Sequence, residues 1–171
     1  RRRTGLADRH SEHEPLDRLA RNGCERLGPE GELEQHLAEV LRELGSRHVM
    51  VVHSNDGLDE ISIGDTTRVA ELRDGTIHTY TIEPQQFGIQ RSSLDAIRAA
   101  SPQDSVQTII KVLDDTPGPA RDIVVLNAGA AIYVAGLAGS LQDGIRRADE
   151  AIASGEARNR LDRLVVLTQS F

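Results

Sequence analysis

Residues 48–63 are HVMVVHSNDGLDEISI, and they decide how the rest of this sequence is interpreted. The opening run HVMVVH is typical of a buried strand, which we predict to be parallel to its neighbours. Its C-terminal end, where open α/β sheets bind ligands, leads into the acidic loop DGLDE, residues 56–60. Asp56, Asp59 and Glu60 offer hard oxygen ligands of the kind that magnesium takes. Taken alone, however, such a loop is more often a solvated acidic turn.

The sequence around this stretch predicts a helix before it and short strands after it. Five apolar residues share one face of the preceding helix: Leu33, Leu37, Val40, Leu41 and Leu44. Gly45 ends that period, so the helix and the strand form one αβ unit. After the loop, ISI at 61–63, RVAEL at 68–72 and TIHTYTI at 76–82 have the composition of strands. Asp74-Gly75 predicts a hairpin between the last two.

The sequence of residues 101–166 predicts four helices with no strand between them. The first opens at Ser101-Pro102. Its apolar face consists of Val106, Ile109, Ile110 and Leu113. The second, at about 120–137, has almost no polar side chain, so we expect it to be central and enclosed on most sides. The third is capped by Ser140 and Asp143 and ends at Gly155, and the fourth covers about 156–166.

Short strands followed by a helical cluster indicate an α/β fold. Because a single parallel strand cannot form a sheet alone, the pattern is that of the second half of a larger α/β domain. Residues 1–29 show no strong helical or strand period, and we predict that they are an atypical head, disordered or altered. Residues 30–171 would then be the partial α/β domain.

Composition limits the classes of function. The net charge of −7 and the pI near 5.3 disfavour nucleic-acid binding, and an aromatic content of 2% provides few stacking platforms. An anionic substrate would therefore need a metal or a helix N-terminus. The single cysteine, Cys24, excludes an intrachain disulfide and a thiolate zinc cluster. No apolar run approaches about 18 residues, so we expect no membrane span and a cytoplasmic protein.

Two further polar residues stand close to the apolar elements. His53 ends the predicted strand. One role for it is to orient a substrate or a carboxylate, but a structural hydrogen bond is the more common role of a histidine in this position. Asn127 lies inside the apolar helix, where its amide needs partners, and we predict a hydrogen bond from helix to loop. No serine stands in a nucleophile elbow, so we identify no catalytic residue in this chain.

Three segments together resemble the anthranilate phosphoribosyltransferase family. They are VVHSNDGLDEISI (51–63), TRVAELRDGTIHTYTIEPQQFGI (67–89) and GPARDIVVLNAGAAIYVAGLAGSLQDGIRRADEAIASGEA (118–157). The resemblance implies the nucleoside phosphorylase/phosphoribosyltransferase-like α/β fold. It also implies a pentosyltransferase of tryptophan biosynthesis, which joins phosphoribose from phosphoribosyl diphosphate to anthranilate with magnesium. By the family's motif, Asp59 and Glu60 are its metal pair, and Asp56 is structural.

The departures from the family limit what this chain is expected to do. The family's glycine-rich diphosphate loop, Lys-His segment and anthranilate-binding arginine precede the matching region, and none is found here. Substrate-binding residues are therefore expected outside this chain, which we expect to be inactive alone. The family's homodimer contacts lie largely in a small helical domain that is missing here, so we do not expect the homodimer for this chain. SPQDSVQT at 101–108 replaces the GGD-type stretch of many members.

Two alternatives to the transferase stay open. The first is a non-catalytic fragment, or a module that needs a partner chain. The second is a relative of the pyrimidine nucleoside phosphorylases, which share the fold. The DGLDE loop and the helix around Asn127 favour the transferase family over the phosphorylases.

Overall fold

The computed structural model describes residues 32–170, so the predicted head at 1–29 lies outside the described residues. Among the described residues, those from Glu34 onward belong to one compact unit. Three strands come first in the described part: β1 (His48–Ser54), β2 (Thr67–Arg73) and β3 (Thr76–Ile82). The helices are α1 (Glu32–Glu43), α2 (Pro102–Leu113), α3 (Pro119–Val134), α4 (Leu141–Ala153) and α5 (Glu156–Thr168). Two short 3-10 turns cover Pro84–Phe87 and Leu94–Ile97.

The sheet has the order β1-β2-β3, and both of its pairings are antiparallel. The hairpin prediction is confirmed: Asp74 and Gly75 have φ of 50° and 80°, as a two-residue turn between twisted strands requires. The prediction that β1 is a parallel strand is wrong, because β1 runs antiparallel to β2 from His48 to Ser54. An apolar run indicates burial but not direction, and here a loop without a crossover helix returns the chain beside β1.

The prediction of a strand at 61–63 is also wrong. Ile61, Ser62 and Ile63 are buried, but their backbone groups bind side chains and a loop instead of a strand. The Ser62 amide donates to Thr67 Oγ1 at 3.1 Å, and the Ile63 carbonyl accepts from the Ser92 amide at 2.9 Å. The alternation of apolar and polar residues at 61–63 therefore indicated a buried segment correctly, although this segment pairs with no neighbouring strand in the range 32–170.

The helical cluster packs on one side of the sheet around α3. The predicted central helix contacts α2, α4, β1 and the second 3-10 turn, while Val124 on its remaining side is 39% exposed. Its approach to α4 depends on two glycines. A Cβ added to Gly144 would lie 2.2 Å from the carbonyl oxygen of Gly129, so the two helix backbones are nearly in contact. The capping predictions at Ser101 and Ser140 are confirmed, since both hydroxyls accept a backbone amide.

Helices α1, α2 and α5 each leave large apolar side chains exposed in the described part of the chain. In α1, Leu37 and Val40 are 45% and 55% exposed, whereas Ala38 and Glu34 are buried. In α2, Val106 and Ile109 are likewise exposed. The helical period was predicted correctly in both helices, but spacing shows only which residues share a face and not which face is covered. Among residues 32–170, no helix is both long and apolar enough to cross a bilayer.

Candidate functional site

The acidic loop begins directly after β1 and is closed on the end of the strand. The amide of Ser54 donates to the carbonyl of Leu58 at 2.9 Å, and that of Gly57 donates to the carbonyl of Ser54 at 3.0 Å. Gly57 has φ of +89°, a backbone conformation that residues other than glycine rarely adopt. Asn55 donates its amide to the Thr66 carbonyl at 2.9 Å. The loop backbone is therefore fixed before any ligand binds.

Asp56 is engaged in holding this loop. Its Oδ2 accepts a hydrogen bond from the Ser62 hydroxyl at 2.6 Å, and the Leu58 amide approaches Oδ1 at 3.4 Å. Burial alone would raise the pKa of Asp56, but hydrogen bonds from Ser62, Ser54 and the Leu58 amide outweigh it, so the pKa lies below its ordinary value. Asp56 therefore remains a carboxylate and acts as an internal acceptor of the loop.

The other end of the loop is tied to helix α3 by an amide clamp. Asn127 Oδ1 accepts from the Ile61 amide at 2.9 Å, and Asn127 Nδ2 donates to the Ile61 carbonyl at 2.9 Å. The same Nδ2 also donates to the Ile123 carbonyl within α3 at 3.0 Å. The prediction of a helix-to-loop bond at Asn127 is confirmed. The side chain pairs with both backbone groups of Ile61, as a neighbouring strand would.

Asp59 and Glu60 lie between these two anchors. Both are exposed, and neither makes a hydrogen bond or ion pair with any residue in the described range 32–170. A magnesium ion takes one or two protein carboxylates and keeps several positions for water and phosphate. Two free carboxylates on a fixed loop fit that requirement. The described residues contain no group of three or more His, Cys, Asp or Glu side chains arranged for a metal, so any ion here would depend on ligands from elsewhere.

A polar cleft of about 460 Å³ lies beside the loop. Asp56, Asp65 and Arg91 line it, together with the segment 92–95. Arg91 Nη1 lies 3.6 Å from Asp65 Oδ1, and Arg91 Nη2 lies 3.4 Å from Glu83 Oε1, so the guanidinium pairs with two carboxylates. Asp59 and Glu60 do not line this cleft, so the cleft adjoins the acidic loop at Asp56 without including the candidate metal ligands.

His53 does not show the predicted structural hydrogen bond, because its ring has no partner among residues 32–170. It is half-buried near the end of β1, where its backbone is paired with Arg68 of β2. The ring lies three residues before Asp56, the first residue of the acidic loop.

Sequence reasoning missed a second polar cluster, which surrounds Glu71 on β2. Glu71 is 8% exposed, and its carboxylate accepts from Tyr133 at 2.7 Å and from Tyr80 at 2.7 Å. His48 Nε2 lies 2.9 Å from Glu71 Oε1. Burial alone would raise the pKa of Glu71, but these hydrogen bonds and the nearby His48 keep it below the ordinary value. A glutamate inside the apolar strand RVAEL was the signal that could have indicated this cluster.

Most of the chain is similar to known proteins. Residues 30–158 match the sequence model of the glycosyl transferase family, a/b domain. The anthranilate phosphoribosyltransferase of Thioalkalivibrio sulfidiphilus is 59% identical over 134 residues, which are 78% of this chain and 40% of that protein. That of Methylococcus capsulatus is 53% identical over 135 residues, 79% of this chain and 40% of that protein. The chain thus spans about 40% of the length of these relatives.

Solved structures show the same fold. The crystal structure of the Thermus thermophilus anthranilate phosphoribosyltransferase superposes with a TM-score of 0.71 at 35% identity, over 82% of this chain and 40% of that one. These observations define the class first: an α/β protein with the phosphoribosyltransferase and nucleoside phosphorylase fold. Within that class, the chain belongs to the glycosyl transferase family through its a/b domain, the family of the anthranilate phosphoribosyltransferases.

Proposed function

We propose that this chain is the metal-binding part of an anthranilate phosphoribosyltransferase, which transfers phosphoribose from phosphoribosyl diphosphate to the amino group of anthranilate in tryptophan biosynthesis. The observation that carries the proposal is the position of Asp59 and Glu60. They are free carboxylates on a loop that Ser62 and Asn127 hold at its two ends. The identity of 59% to a relative of that name, across the region containing this loop, supports the assignment.

In the proposed reaction, Asp59 and Glu60 would hold magnesium at the end of the sheet. Magnesium held there would supply positive charge that offsets the negative charge developing on the diphosphate leaving group. Adjacent residues on an extended chain point in different directions. The two carboxylates would therefore serve two ions, or one ion and one of its water ligands. A structure of the Saccharomyces cerevisiae enzyme, a serine-to-alanine variant with magnesium bound, shares this fold at a TM-score of 0.70 and 25% identity, over 82% of this chain and 41% of that one.

The proposal extends to organisation and setting. Residues 30–171 would form the partial α/β domain, residues 1–29 would be an atypical head, disordered or altered, and the protein would act in the cytoplasm. Because the chain spans about 40% of its relatives, phosphoribosyl diphosphate and anthranilate would be held largely by residues outside it. Positioning of the two reactants supplies much of the rate in a transfer between bound molecules. We therefore expect little or no turnover by the 171-residue chain alone.

The first experiment mixes the purified chain with phosphoribosyl diphosphate, magnesium and anthranilate, and follows the fluorescence of anthranilate. Unchanged fluorescence is expected for the isolated chain. Turnover near that of a full-length enzyme would contradict the view that half of the site lies elsewhere. It would leave the family assignment and the metal pair untouched.

The second experiment tests the metal pair directly. Magnesium binding is measured by calorimetry in the presence of diphosphate, for the wild type and for Asp59→Asn/Glu60→Gln. We expect the double variant to lose the binding signal of the wild type. The matched control is Asp149→Asn/Glu150→Gln, which removes the same two charges from helix α4, where both side chains already pair with arginines. Binding by the Asp59/Glu60 variant equal to that of the control would remove these residues as ligands.

A further inference from the structure

A second cleft, of about 370 Å³, lies at the opposite end of the sheet from the acidic loop. His48 begins β1 and Arg73 ends β2, and both line this cleft. The acidic loop follows Ser54, at the far end of the seven-residue strand β1. A strand of that length spans about 20 Å, so the cleft and the candidate metal pair are separate sites.

Two guanidinium groups meet at this cleft with most of their donors unused. Arg73 donates one Nη1–H to the Tyr133 hydroxyl at 2.8 Å, and its Nε lies 3.9 Å from the exposed Asp74. Arg147, from helix α4, makes no hydrogen bond or ion pair with any residue in the range 32–170. Each guanidinium carries five donors in a planar fork that suits phosphate and carboxylate oxygens.

The backbone on the same wall adds further donors. Helix α3 ends in a turn in which Gly136 has φ of +72° and the Leu137 amide returns to the Ile132 carbonyl at 3.1 Å. The next two amides, of Ala138 and Gly139, have no acceptor among the described residues, and both residues line the cleft. A run of free amides beside two guanidiniums is a site of positive potential.

The acidic groups near the cleft are already satisfied by other partners. Glu71 receives hydrogen bonds from Tyr133, Tyr80 and His48, so three partners share its charge. Asp143 lies near Gly139, where it accepts from the Ser140 hydroxyl at 2.9 Å and is 3.8 Å from Arg146. Asp74 is exposed on the hairpin turn. Arg147 thus lines the cleft without a partner among residues 32–170, and Arg73, which binds Tyr133 and pairs with Asp74, keeps further donors unused.

We propose that this cleft binds a phosphate group, carried by inorganic phosphate or by a small phosphate monoester. Arg73 and Arg147 would clamp the oxygens from two sides, and the amides of Ala138 and Gly139 would bind the remaining one. Both arginines are exposed, so a bound phosphate would replace water at donors that make few contacts with the protein. The site is independent of the proposed transferase reaction, because it shares no residue with the acidic loop.

The test is a phosphate titration of the 171-residue chain in magnesium-free buffer at constant ionic strength, followed by amide NMR. We expect saturable shifts at Ala138 and Gly139. A parallel titration with glycerol phosphate separates the two sources, since tighter binding of the monoester identifies an esterified ligand and equal or weaker binding identifies free phosphate. Arg147→Gln and Arg73→Gln should each weaken binding about tenfold or more, as loss of a charge-assisted contact does.

Arg146→Gln is the matched control, because Arg146 is the neighbour of Arg147 and has the same charge but is paired with Asp143 and Glu150. It should leave phosphate binding unchanged. Equal weakening by Arg146→Gln would mean general charge attraction and would overturn the site. The absence of saturable shifts at Ala138 and Gly139 would overturn it as well. Unchanged thermal unfolding of the Arg147→Gln chain would show that a loss of binding there is not a loss of fold.

Discussion

At the acidic loop, the side chains that hold the backbone and the side chains left for a ligand belong to different residues. Asp56, Ser62 and Asn127 are engaged with protein partners, whereas Asp59 and Glu60 have none among residues 32–170. This division matters because a metal ligand that also supported the fold would have to exchange one partner for the other. The loop backbone is therefore ordered in the folded chain without an ion, and the conformational entropy of the loop is lost on folding and not on metal binding.

Ser62 is the residue on which the Asp56 end of the loop depends. It is fully buried, its hydroxyl donates to Asp56, and it accepts the Gly64 amide at 2.8 Å. We expect Ser62→Ala to lower the free energy of unfolding by about 1–3 kcal/mol, since the Asp56 carboxylate and the Gly64 amide both lose a hydrogen-bond partner. The measurement is urea unfolding followed by circular dichroism. Ser170→Ala, at an exposed position, should change stability by no more than about 0.5 kcal/mol, and equal effects would contradict the argument.

Glu71 gives a pH dependence whose sign follows from its surroundings. Its pKa in the folded chain lies below the ordinary value of 4.5, because three hydrogen bonds outweigh the effect of burial. Such a carboxylate contributes stability above pH 4.5 and loses that contribution as pH falls through its folded-state pKa. We expect Glu71→Gln to be less stable at neutral pH and to lose less stability on acidification than the wild type. Parallel stability curves for the two chains between neutral and acid pH would contradict this.

Among the elements, those specified by neighbouring residues were predicted well. Asp74-Gly75 requires positive φ at two successive residues, and Ser101 and Ser140 cap the helices that follow them, so each feature is written within a few residues. The errors concern partners that are distant in sequence. Residues 61–63 have the alternation of a strand, but the Ile61 amide binds the Asn127 side chain and the Ile63 carbonyl binds the Ser92 amide. No local pattern contains that information.

The same reasoning applies to the candidate site. The carboxylates Asp59 and Glu60 could be found because they are adjacent in the sequence. The Glu71 cluster could not, because its members come from β1, β2, β3 and α3 and meet only after the sheet and helix have packed. Glu71 alone, a charge inside an apolar strand, indicated that partners were needed without showing which they were.

The contact between helices α3 and α4 gives a prediction at the scale of elements. Gly129 and Gly144 allow the two backbones to meet, and a Cβ at position 144 would lie 2.2 Å from the Gly129 carbonyl oxygen. Because backbone cannot move aside as a flexible side chain can, we expect Gly144→Ala to cost about 1–3 kcal/mol or more. Gly139→Ala is the control, since its nearest atom would be Asp143 Oδ2 at 4.0 Å. Thermal unfolding of both variants measures the difference, and a Gly144→Ala chain as stable as the control would disprove the close contact.

At the scale of the whole molecule, the two proposed anion sites lie at opposite ends of one three-stranded sheet. One would recruit its anion through a metal on exposed carboxylates, and the other through arginines and backbone amides. An acidic chain with a net charge of −7 needs such local devices to hold any anion. The two devices share no side chain, so each should respond to its own ligand alone.

Thermal stability tests that independence on the intact chain. A ligand that binds only the folded state raises the free energy of unfolding by an amount set by its concentration relative to Kd. Phosphate in magnesium-free buffer should raise Tm equally in the wild type and in Asp59→Asn/Glu60→Gln, and by a clearly smaller increment in Arg147→Gln. Magnesium with diphosphate should raise Tm by an increment that the Asp59/Glu60 variant lacks and the Arg147 variant keeps.

Because the sites are about 20 Å apart, the free-energy increments from the two ligands should add when all ligands are present. Non-additive increments would mean that the two ends of the sheet are coupled or that diphosphate occupies both clefts. The Arg147→Gln chain distinguishes these cases, since only a diphosphate bound at the second cleft would lose part of its effect there.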